Sequence, residues 1–353
     1  MTRIDDVARL AGVSTATVSR ALRGLPTVSA STRDRVLLAA AELGYTVSPS
    51  ASRLAGGRTG TIGVVVPWIT RWFFSTVVEA AESTLHLAGY DLLLYTLGGR
   101  EHVRKRLFRT ADLHKRVDAV MLVATNVQAA DFATITRRAI PGVTVSSGTV
   151  VPGWPGIRID DVAAARTAVA HLLSLGHRRV AHISGSPTAE LTHTAHVDRR
   201  QGYRQELLAA GVTPDPRLDV NDEFTISGGT RATEELLRRG NIPTAIFAAC
   251  DEMAMGAMSA LRLAGLRVPQ DVSVIGIDDH ALAAVVGLTT VAQPAAEQGR
   301  LAATVLLDQL CGQSDESLFT APLILPTRLV VRESTGPPRG KLEPDRLTTT
   351  EAG

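Results

Sequence analysis

The sequence is poor in cysteine and contains no long apolar run. Its two cysteines, Cys250 and Cys311, stand apart without the spacing of a metal site, which predicts a reduced, cytoplasmic protein and not a disulfide scaffold. No uninterrupted apolar stretch approaches the roughly 18 residues of a membrane span. Met1, Thr2 and Arg3 lead directly into an amphipathic segment, without the apolar core of a signal peptide. These absences argue against a membrane protein and against a secreted one.

Motifs of catalysis and of cofactor binding are missing as well. The sequence has no nucleophile elbow, no phosphate-cradling glycine loop, no metal constellation and no redox motif. It therefore predicts no enzyme, no cofactor and no metal, although a fold alone would not exclude catalysis. His193 and His196 have a metal-like spacing, but without a third ligand nearby we interpret them as surface or cleft histidines. A turnover screen against glycosides and nucleosides tests this expectation.

The chain is long enough for several domains. Its 353 residues exceed one ordinary core, and 45% apolar with 20% charged residues is typical of a globular protein. The charge is uneven, because residues 1–58 hold eight arginines and four acids, a net +4, whereas the whole chain carries +2. A basic amino-terminal segment on a near-neutral body suits phosphate binding, although the excess is modest.

The first 22 residues have the pattern of two short helices. Apolar residues repeat at helical spacing in two groups, which are Ile4, Val7, Ala8 and Ala11, and then Val18, Ala21 and Leu22. Between them Gly12 can take the left-handed conformation that ends a helix, and Ser14 can cap the next one. The pattern predicts a helix-turn-helix whose second helix enters the DNA major groove. A helical hairpin inside a larger core is the alternative, but the exposed face lacks acids.

Two further helices are predicted before residue 60. Ser29 is the expected N-cap of the third helix, and its apolar stripe is Val36, Leu37, Ala40 and Leu43. Ser48 as N-cap and Pro49 at the first helical position mark a two-turn helix that ends before Gly56 and Gly57. So short a helix is marginal alone in water and needs a partner to form.

From Thr61 onwards, apolar strands alternate with helices. The predicted strands cover residues 62–66, 92–95, 119–123, 143–145, 180–183, 245–247 and 272–277. Continuous apolar strands separated by helices indicate parallel sheets that are buried on both faces. We therefore predict a helix-turn-helix domain at 1–46, a hinge helix and linker at 47–60, and a two-lobed α/β core at 61–333. Residues 334–353 lack apolar periodicity and are predicted to be a disordered tail.

The segment IDDVARLAGVS at 4–14, followed by ATVSR at 16–20, strongly resembles the LacI/GalR family of bacterial transcription regulators. The match continues in the body at GHRRV (176–180), PTAIF (243–247), DEMAMGA (251–257) and VPQDVSVIGIDD (268–279), and covers roughly residues 3–331. The resemblance implies a homodimer on pseudo-palindromic operator DNA. It also implies a core like that of periplasmic sugar-binding proteins, with a sugar-like effector between the lobes.

The resemblance implies DNA-binding roles in the head and hinge. Thr15, Ala16 and Arg20 fall at base-reading positions, where an arginine fork can pair with guanine. Phosphate-contacting positions are Ser14, Thr17, Ser19 and Thr32, although Ser14 could instead only cap its helix and Ser19 bond within it. Arg23 replaces a common Asn and adds a phosphate or base contact. Ala51 and Leu54 lie in the hinge, where Leu54 matches a leucine that wedges into the minor groove; core packing is the alternative.

The sequence departs from the family pattern at the start of the first helix. Arg3 stands where a capping Thr is frequent, and Thr2 is the candidate substitute.

The resemblance also implies effector contacts around the cleft. They are Thr70, Phe73, Phe74, Thr125, Arg199, Phe224, Asp251 and Asp278. Carboxylates that accept from hydroxyls, an arginine fork and apolar ring faces form the mixture that a sugar needs. For Asp278 the alternative is a helix cap, and for Phe224 it is core packing.

Three departures from the family pattern leave the effector open. Arg71-Trp72 replaces the common Asn-Pro, Cys250 replaces the usual Asn, and Ser146-Ser147-Gly148 lacks the frequent acid.

The sequence thus favours an effector-controlled transcription regulator, most simply a repressor. A solute-binding receptor for transport would share the core fold, but it would need a signal peptide and would have no helix-turn-helix. The tail after Arg332 lacks the heptads of a tetramerising coiled coil, so a dimer is predicted. The operator, the regulated genes and the direction of the effector's action stay open.

Overall fold

The computed structural model describes residues 2–22, 24–45, 58–98, 100–109, 113–125, 140–148, 150–185, 195–240, 242–313 and 321–339. These residues form a small helical head and a core of two α/β lobes. The head contains α1 (Ile4–Ala11), α2 (Thr15–Leu22) and α3 (Ala30–Glu42). Residues 46–57, which include most of the predicted hinge, lie outside the described residues.

The turn between the first two helices is confirmed. Gly12 ends α1 at φ 63°, a left-handed conformation that glycine adopts without strain. The Ser14 hydroxyl then accepts the backbone N–H of Thr17 at 3.2 Å, and Ser29 does the same for Thr32 at 3.3 Å at the start of α3. Both serines are therefore helix caps, as their sequence context predicts.

Two details of the head were predicted wrongly. Leu37 is 48% exposed, because the buried residues of α3 are Val36, Ala39 and Ala40, and position 37 is rotated by about 100° from that face. Thr2 does not cap α1. Its hydroxyl donates to the Leu43 carbonyl at 3.1 Å and thereby ties the chain start to the end of α3.

The first lobe is built on six parallel strands. They are β1 (Thr61–Val66), β2 (Asp91–Thr96), β3 (Ala119–Val123), β4 (Gly142–Val145), β5 (Gly156–Ile159) and β11 (Leu323–Leu325). Their order in the sheet is β11-β5-β4-β3-β1-β2. The helices of this lobe are α4 (Trp72–Leu87), α5 (Glu101–Arg109), α6 (Leu113–Arg116) and α11 (Ala295–Cys311). The central strands are apolar on both faces, because α4 and α11 cover one face and a second apolar cluster, which includes Phe108 of α5 and Leu113 of α6, covers the other.

The second lobe repeats this plan. Its strands are β6 (Val180–Gly185), β7 (Asp219–Asp222), β8 (Ala245–Ala248), β9 (Ser273–Asp278), β10 (Thr289–Ala292) and β12 (Arg328–Val330), in the order β12-β10-β9-β8-β6-β7. Only β12 runs antiparallel to its neighbour within the described sheet. The helices are α7 (Asp161–Ser174), α8 (Ala195–Ala209), α9 (Ile226–Arg238) and α10 (Asp251–Leu263), with a 3₁₀ turn at Pro216–Leu218.

The chain passes between the lobes at three places in the described part. It crosses from β5 to α7, from β10 to α11, and from β11 to β12. In parallel α/β sheets a ligand binds beyond the carboxyl ends of the strands. Here those ends and the first two crossovers meet at one cleft between the lobes.

The seven predicted strands are confirmed, whereas the apolar pattern did not predict β5, β7, β10, β11 and β12. These five are short strands at or near the edges of the sheets, and polar residues interrupt most of them. No helix of the described residues is long and apolar enough to span a membrane.

The predicted disordered tail is wrong for residues 334–339. The Ser334 hydroxyl donates to the Val274 carbonyl at 2.6 Å, and Gly336 N–H donates to Ser273 at 3.0 Å. These bonds fasten the segment beside β9, and side-chain bonding replaces the apolar periodicity that the prediction required. Residues 340–353 lie outside the described residues.

Candidate ligand cleft and helix-turn-helix face

An open cavity lies between the two lobes, with about 520 Å³ of space that includes open solvent. The first lobe lines it with Arg71, Phe73, Phe74, Ala124 and Ser146. The second lobe and the crossovers line it with Asp161, Ala195, Arg199, Phe224, Cys250, Glu252, Asp278 and Gln293. Because both lobes contribute, a molecule in this cavity would contact both.

Strained backbone marks the rim of the cavity. Ala124 (φ 44°) and Ser146 (φ 48°) follow β3 and β4, and Asp278 (φ 145°) and Asp279 (φ 60°) end β9 and follow it. Residues other than glycine adopt such conformations at a cost of about 1–3 kcal/mol, and they cluster at ligand sites. The strain therefore lies where two sheets direct their strand ends into the cleft.

Arg199 joins two elements of the second lobe. Its Nε donates to Asp161 Oδ1 at 2.7 Å, and one terminal nitrogen donates to the Ala249 carbonyl. The same nitrogen lies 3.9 Å from Asp278 Oδ1. Burial opposes the charge, but Asp161 and Asp278 raise the pKa of Arg199 above its ordinary value. A buried cation held by two acids is pre-oriented for hydroxyl or carbonyl groups of a ligand.

A chain of side-chain hydrogen bonds links Asp278 to the first lobe. Gln293 Nε2 donates to Asp278 Oδ1 at 2.6 Å, Gln298 Nε2 donates to Gln293 Oε1 at 3.1 Å, and the Ser146 hydroxyl donates to Gln298 Oε1 at 2.7 Å. Burial raises the pKa of Asp278 to about 6 although Arg199 opposes the shift. Asp278 ends a strand and faces the cavity, so the alternative of a helix cap does not apply.

Asp251 was predicted to contact the effector, but the structure places it outside the cavity lining. It is fully buried, and its two carboxylate oxygens accept from the Thr290 hydroxyl at 2.7 Å and from the His280 N–H at 2.8 Å. Both partners belong to its own lobe, and Asp251 does not line the cavity. Its carboxylate braces the loop after β9.

Two threonines predicted at the cleft also lie outside its lining. Thr70 is exposed on the loop before α4. Thr125 is buried, and its hydroxyl donates to the Val123 carbonyl at 3.0 Å, so this local bond takes the group that a ligand would need. The structure thus brings Phe73, Phe74, Arg199, Phe224 and Asp278 together, and it does not bring Thr70, Thr125 and Asp251 to them.

Sequence reasoning missed several lining residues, among them Arg71, Ser146, Asp161, Glu252 and Gln293. Asp161 and Gln293 lie on the crossovers between the lobes. Their positions could not be predicted, because the strands that precede them, β5 and β10, were not recognised in the sequence. The polar residues that directly follow each of these strands were the available signal. Arg71 stacks on Trp68, with its guanidinium carbon 3.9 Å from the ring centroid.

Three phenylalanines form the apolar part of the cavity. Phe73 and Phe74 meet edge to face at 5.6 Å, and Phe74 also belongs to the core of the first lobe. Phe224 lies on the other side, where a Cβ on Gly185 would come within 2.0 Å of its ring. Gly185 therefore makes the room that Phe224 needs. Phe224 both packs on the second lobe's core and faces the cavity.

The head presents a polar face of small and cationic residues. Ser14, Thr15, Ala16 and Arg20 are exposed, and Thr17, Ser19 and Thr32 are partly exposed. The hydroxyls of Ser14 and Thr17 lie 2.9 Å apart at the amino end of α2, where helix amides favour an anion. Arg23, Ala51 and Leu54, like His193, lie outside the described residues.

Comparisons with known proteins cover both parts. Residues 3–48 match the bacterial regulatory proteins of the lacI family, and residues 169–335 match a periplasmic binding protein-like domain. The HTH-type transcriptional repressor CytR of Escherichia coli (strain K12) is 36% identical over 332 residues, which cover 94% of this chain and 95% of that protein.

Solved structures of similar proteins superpose on this chain along nearly its whole length. The Lac repressor dimer bound to operator and the anti-inducer ONPF superposes with a TM-score of 0.80 at 28% identity, covering 95% of this chain and 99% of that one. A complex of the transcriptional regulator CelR with cellobiose gives a TM-score of 0.69 at 34% identity, covering 95% and 100%. With its helix-turn-helix head, its two-lobed core and relatives of this extent, the chain belongs to the LacI family of bacterial regulatory proteins.

Proposed function

We propose that this protein is a sequence-specific DNA-binding transcription regulator, a repressor whose hold on its operator is set by a sugar-like effector in the cleft. The observation that carries the proposal is one chain with two separate sites: an exposed recognition helix, and a cavity that both lobes line. The names of the relatives support it, since one is a repressor and another was solved on operator DNA. None of these names describes an enzyme.

The effector is proposed to be a sugar or a sugar-like metabolite. Asp161 and Asp278 offer acceptors for hydroxyl groups, Arg199 offers a donor, and the phenyl rings offer flat apolar faces. A neutral molecule with hydroxyl groups on one side and an apolar face on the other fits this lining. The solved CelR relative holds cellobiose, which supports the same class of ligand. Asp251, Thr70 and Thr125 then support the cleft from outside its lining.

In the head, Thr15, Ala16 and Arg20 are proposed to read bases, with Ser14, Thr17, Ser19 and Thr32 on phosphates. Arg23 adds a phosphate or base contact, and Ala51 and Leu54 engage the minor groove from the hinge. Their exposure supports the first two groups. Base contacts specify and phosphate contacts position, so the two groups have different measurable effects.

A direct test has two steps. The purified chain is first screened by thermal shift against sugars and nucleosides, and operators are then selected from random DNA with and without each hit. The proposal expects at least one stabilising ligand and a pseudo-palindromic operator whose enrichment changes with that ligand. Selection of no common sequence would contradict the DNA-binding proposal, and turnover of a stabilising ligand would favour an enzyme instead.

A further inference from the structure

A second basic segment lies in the first lobe, outside the head. Residues 100–116 contain seven arginines and lysines and only two acids, Glu101 and Asp112, which gives a net charge of +5. This exceeds the +4 of residues 1–58, although the segment is less than a third as long. Because the whole chain carries only +2, the residues outside these two segments carry a net charge of −7. The core therefore concentrates positive charge in one segment and is acidic elsewhere.

This segment contains α5 and α6, which cover one face of the first sheet. Phe108 and Leu113 are buried there in an apolar cluster with strand residues such as Val65. Arg104 is only 1% exposed and belongs to the interior of the lobe. The exposed cations of the segment are Arg100, Arg106, Lys115 and Arg116. The apolar residues thus hold the two helices on the sheet, and these cations face the solvent.

The end of α6 is fastened to the chain that enters the core. Asp118 follows α6 by two residues, and its carboxylate oxygens accept the backbone N–H groups of Thr59 and Gly60 at 2.7 Å each. The negative charge of Asp118 is therefore engaged by the linker. Lys115 and Arg116 remain exposed beside this junction.

The sheet places this junction at the edge away from the cleft, which we call the linker edge. β1 and β3 are parallel neighbours with Ile62 opposite Ala119, so both strands begin at this edge. The strands end on the cleft side, where Arg100 follows β2. The exposed cations of the segment thus extend from the cleft side to the linker edge. Asp91, at the start of β2, is an acid of the linker edge.

The linker edge is also the side to which the head and its DNA are tethered. Twelve residues, 46–57, separate the described head from Arg58, and such a length of chain spans at most about 40 Å. A duplex held by the head continues beyond the operator and carries one negative charge per about 1.7 Å of its axis. The acidic remainder of the core repels this DNA, whereas the cations of α6 attract it.

We propose that Lys115 and Arg116 form a second DNA contact, which binds the phosphates of the duplex that flanks the operator and reads no sequence. The inference rests on the proposed function, since the head must first hold the DNA, and it assigns a phosphate contact to the effector-binding core. Lysine and arginine suit this role because phosphate contacts require positive charge and no base edge. An acidic protein is the competing partner for such a surface, and the test below separates the two.

Two lengths of DNA isolate the contact. The full chain is titrated with a fluorescent duplex that contains only the selected operator. It is also titrated with the same operator extended by about 15 base pairs of random sequence on each side. Fluorescence anisotropy gives both affinities at several KCl concentrations, because the slope of log affinity against log salt counts the phosphates that the protein neutralises.

Matched variants locate the contact. Lys115→Gln/Arg116→Gln removes both charges at the linker edge, and Lys115→Arg/Arg116→Lys keeps them. Arg116→Gln and Arg100→Gln form the matched pair, since each removes one exposed arginine of the same segment, the first at the linker edge and the second on the cleft side. Circular dichroism and thermal unfolding verify that each variant is folded.

The flanks should raise the affinity of the wild type at least fivefold at low salt. Lys115→Gln/Arg116→Gln should lose this gain and lower the salt slope on the long duplex by about two. Its affinity for the short duplex should stay within about twofold of the wild type. Arg116→Gln should lose part of the gain, whereas Arg100→Gln and Lys115→Arg/Arg116→Lys should keep it.

Four results would overturn the inference. Equal affinities of the wild type for both duplexes would mean that the core does not touch flanking DNA, and the proposed function would stand. A full gain in Lys115→Gln/Arg116→Gln would place the contact elsewhere and leave the segment to an acidic protein. Equal losses in Arg100→Gln and Arg116→Gln would mean that only the net charge matters. Failure to bind either duplex would overturn the proposed function and this inference with it.

Discussion

Adjacent acids at the start of α10 have different tasks in spite of their similar chemistry. Asp251 accepts two hydrogen bonds within its own lobe, whereas Glu252 lines the cavity between the lobes. The direction of each side chain decides between these tasks, because neighbouring positions on a helix point about 100° apart. Sequence reasoning could place an acid at the cleft here, but it could not choose which of the two lines it.

The task of Asp251 can be tested by stability. Asp251→Ala leaves the buried Thr290 hydroxyl and His280 N–H without their acceptor, which costs about 1–3 kcal/mol for each unsatisfied group. Asp251→Asn keeps one acceptor oxygen, and its amide can donate to the Thr290 hydroxyl, so it should lose less. Urea unfolding of the two variants checks this order. Equal losses would contradict the bracing role.

The same residue predicts a pH dependence. Burial, with the Asp278 charge second, raises the pKa of Asp251 from 3.8 to about 7. A carboxyl group with a raised pKa in the folded state adds stability below 3.8 that is lost as the pH rises towards 7. The wild type should therefore lose stability relative to Asp251→Asn between pH 5 and 7.5. A constant difference between the two unfolding free energies would refute the shift.

Single residues of α2 should separate two kinds of DNA contact. Arg20→Ala removes a proposed bidentate base contact and should cost about 1–3 kcal/mol at one base pair, relaxing the preference there. Thr17→Ala removes a proposed phosphate contact and should weaken binding to all DNA sequences nearly equally. Fluorescence anisotropy on a panel of single-base operator variants measures both effects. Unchanged selectivity in Arg20→Ala would remove Arg20 from the reading role.

At the scale of elements, α9 and α10 lie in backbone contact through two glycines. A Cβ on Gly256 would come within 2.0 Å of the Ile226 carbonyl oxygen, and a Cβ on Gly229 within 2.1 Å of that of Met253. These glycines bring α10, and with it Cys250 and Glu252, close to α9. The sequence shows the glycines but not the close approach that requires them.

Gly256→Ala tests this packing. In an exposed helix, replacing glycine by alanine would raise the free energy of unfolding by about 1 kcal/mol through helix propensity. Here the backbones of the two helices must move apart to admit the methyl group, and such overpacking costs about 1–3 kcal/mol. We expect a net loss in the free energy of unfolding. Ser259→Ala, on the same helix, serves as the matched control and should be nearly neutral. A stabilised Gly256→Ala protein would show that the helices separate without cost.

The sequence predicted most elements because their signals are local. Caps such as Ser29, the left-handed Gly12 and the continuous apolar strands all act within a few residues. The short strands β5 and β7 and the crossover residues Asp161 and Gln293 depend on long-range pairing, which no local pattern carries. The resemblance therefore predicted five of the thirteen described residues that line the cleft, but it did not predict the other eight as contacts.

At the scale of the whole molecule, the second lobe has apolar side chains available for a second copy. Leu263, Leu282, Val285 and Val286 are 76%, 48%, 79% and 40% exposed. Exposed apolar groups in one region mark association sites, and a closed two-fold dimer would match a palindromic operator. Light scattering should give a mass near two chains, and Val285→Glu should shift it towards one. A mass near four chains would contradict the dimer.

The central claim is that ligand binding in the cleft and operator binding by the head are thermodynamically coupled. The measurement is a four-arm binding cycle: operator affinity with and without the cleft ligand, and ligand affinity with and without operator. The account predicts the same factor in both directions, in the usual range of about 5–150-fold. Asp278→Ala should remove the ligand response and leave ligand-free operator affinity close to normal. A ligand that binds tightly in the cleft while operator affinity stays constant would contradict the account.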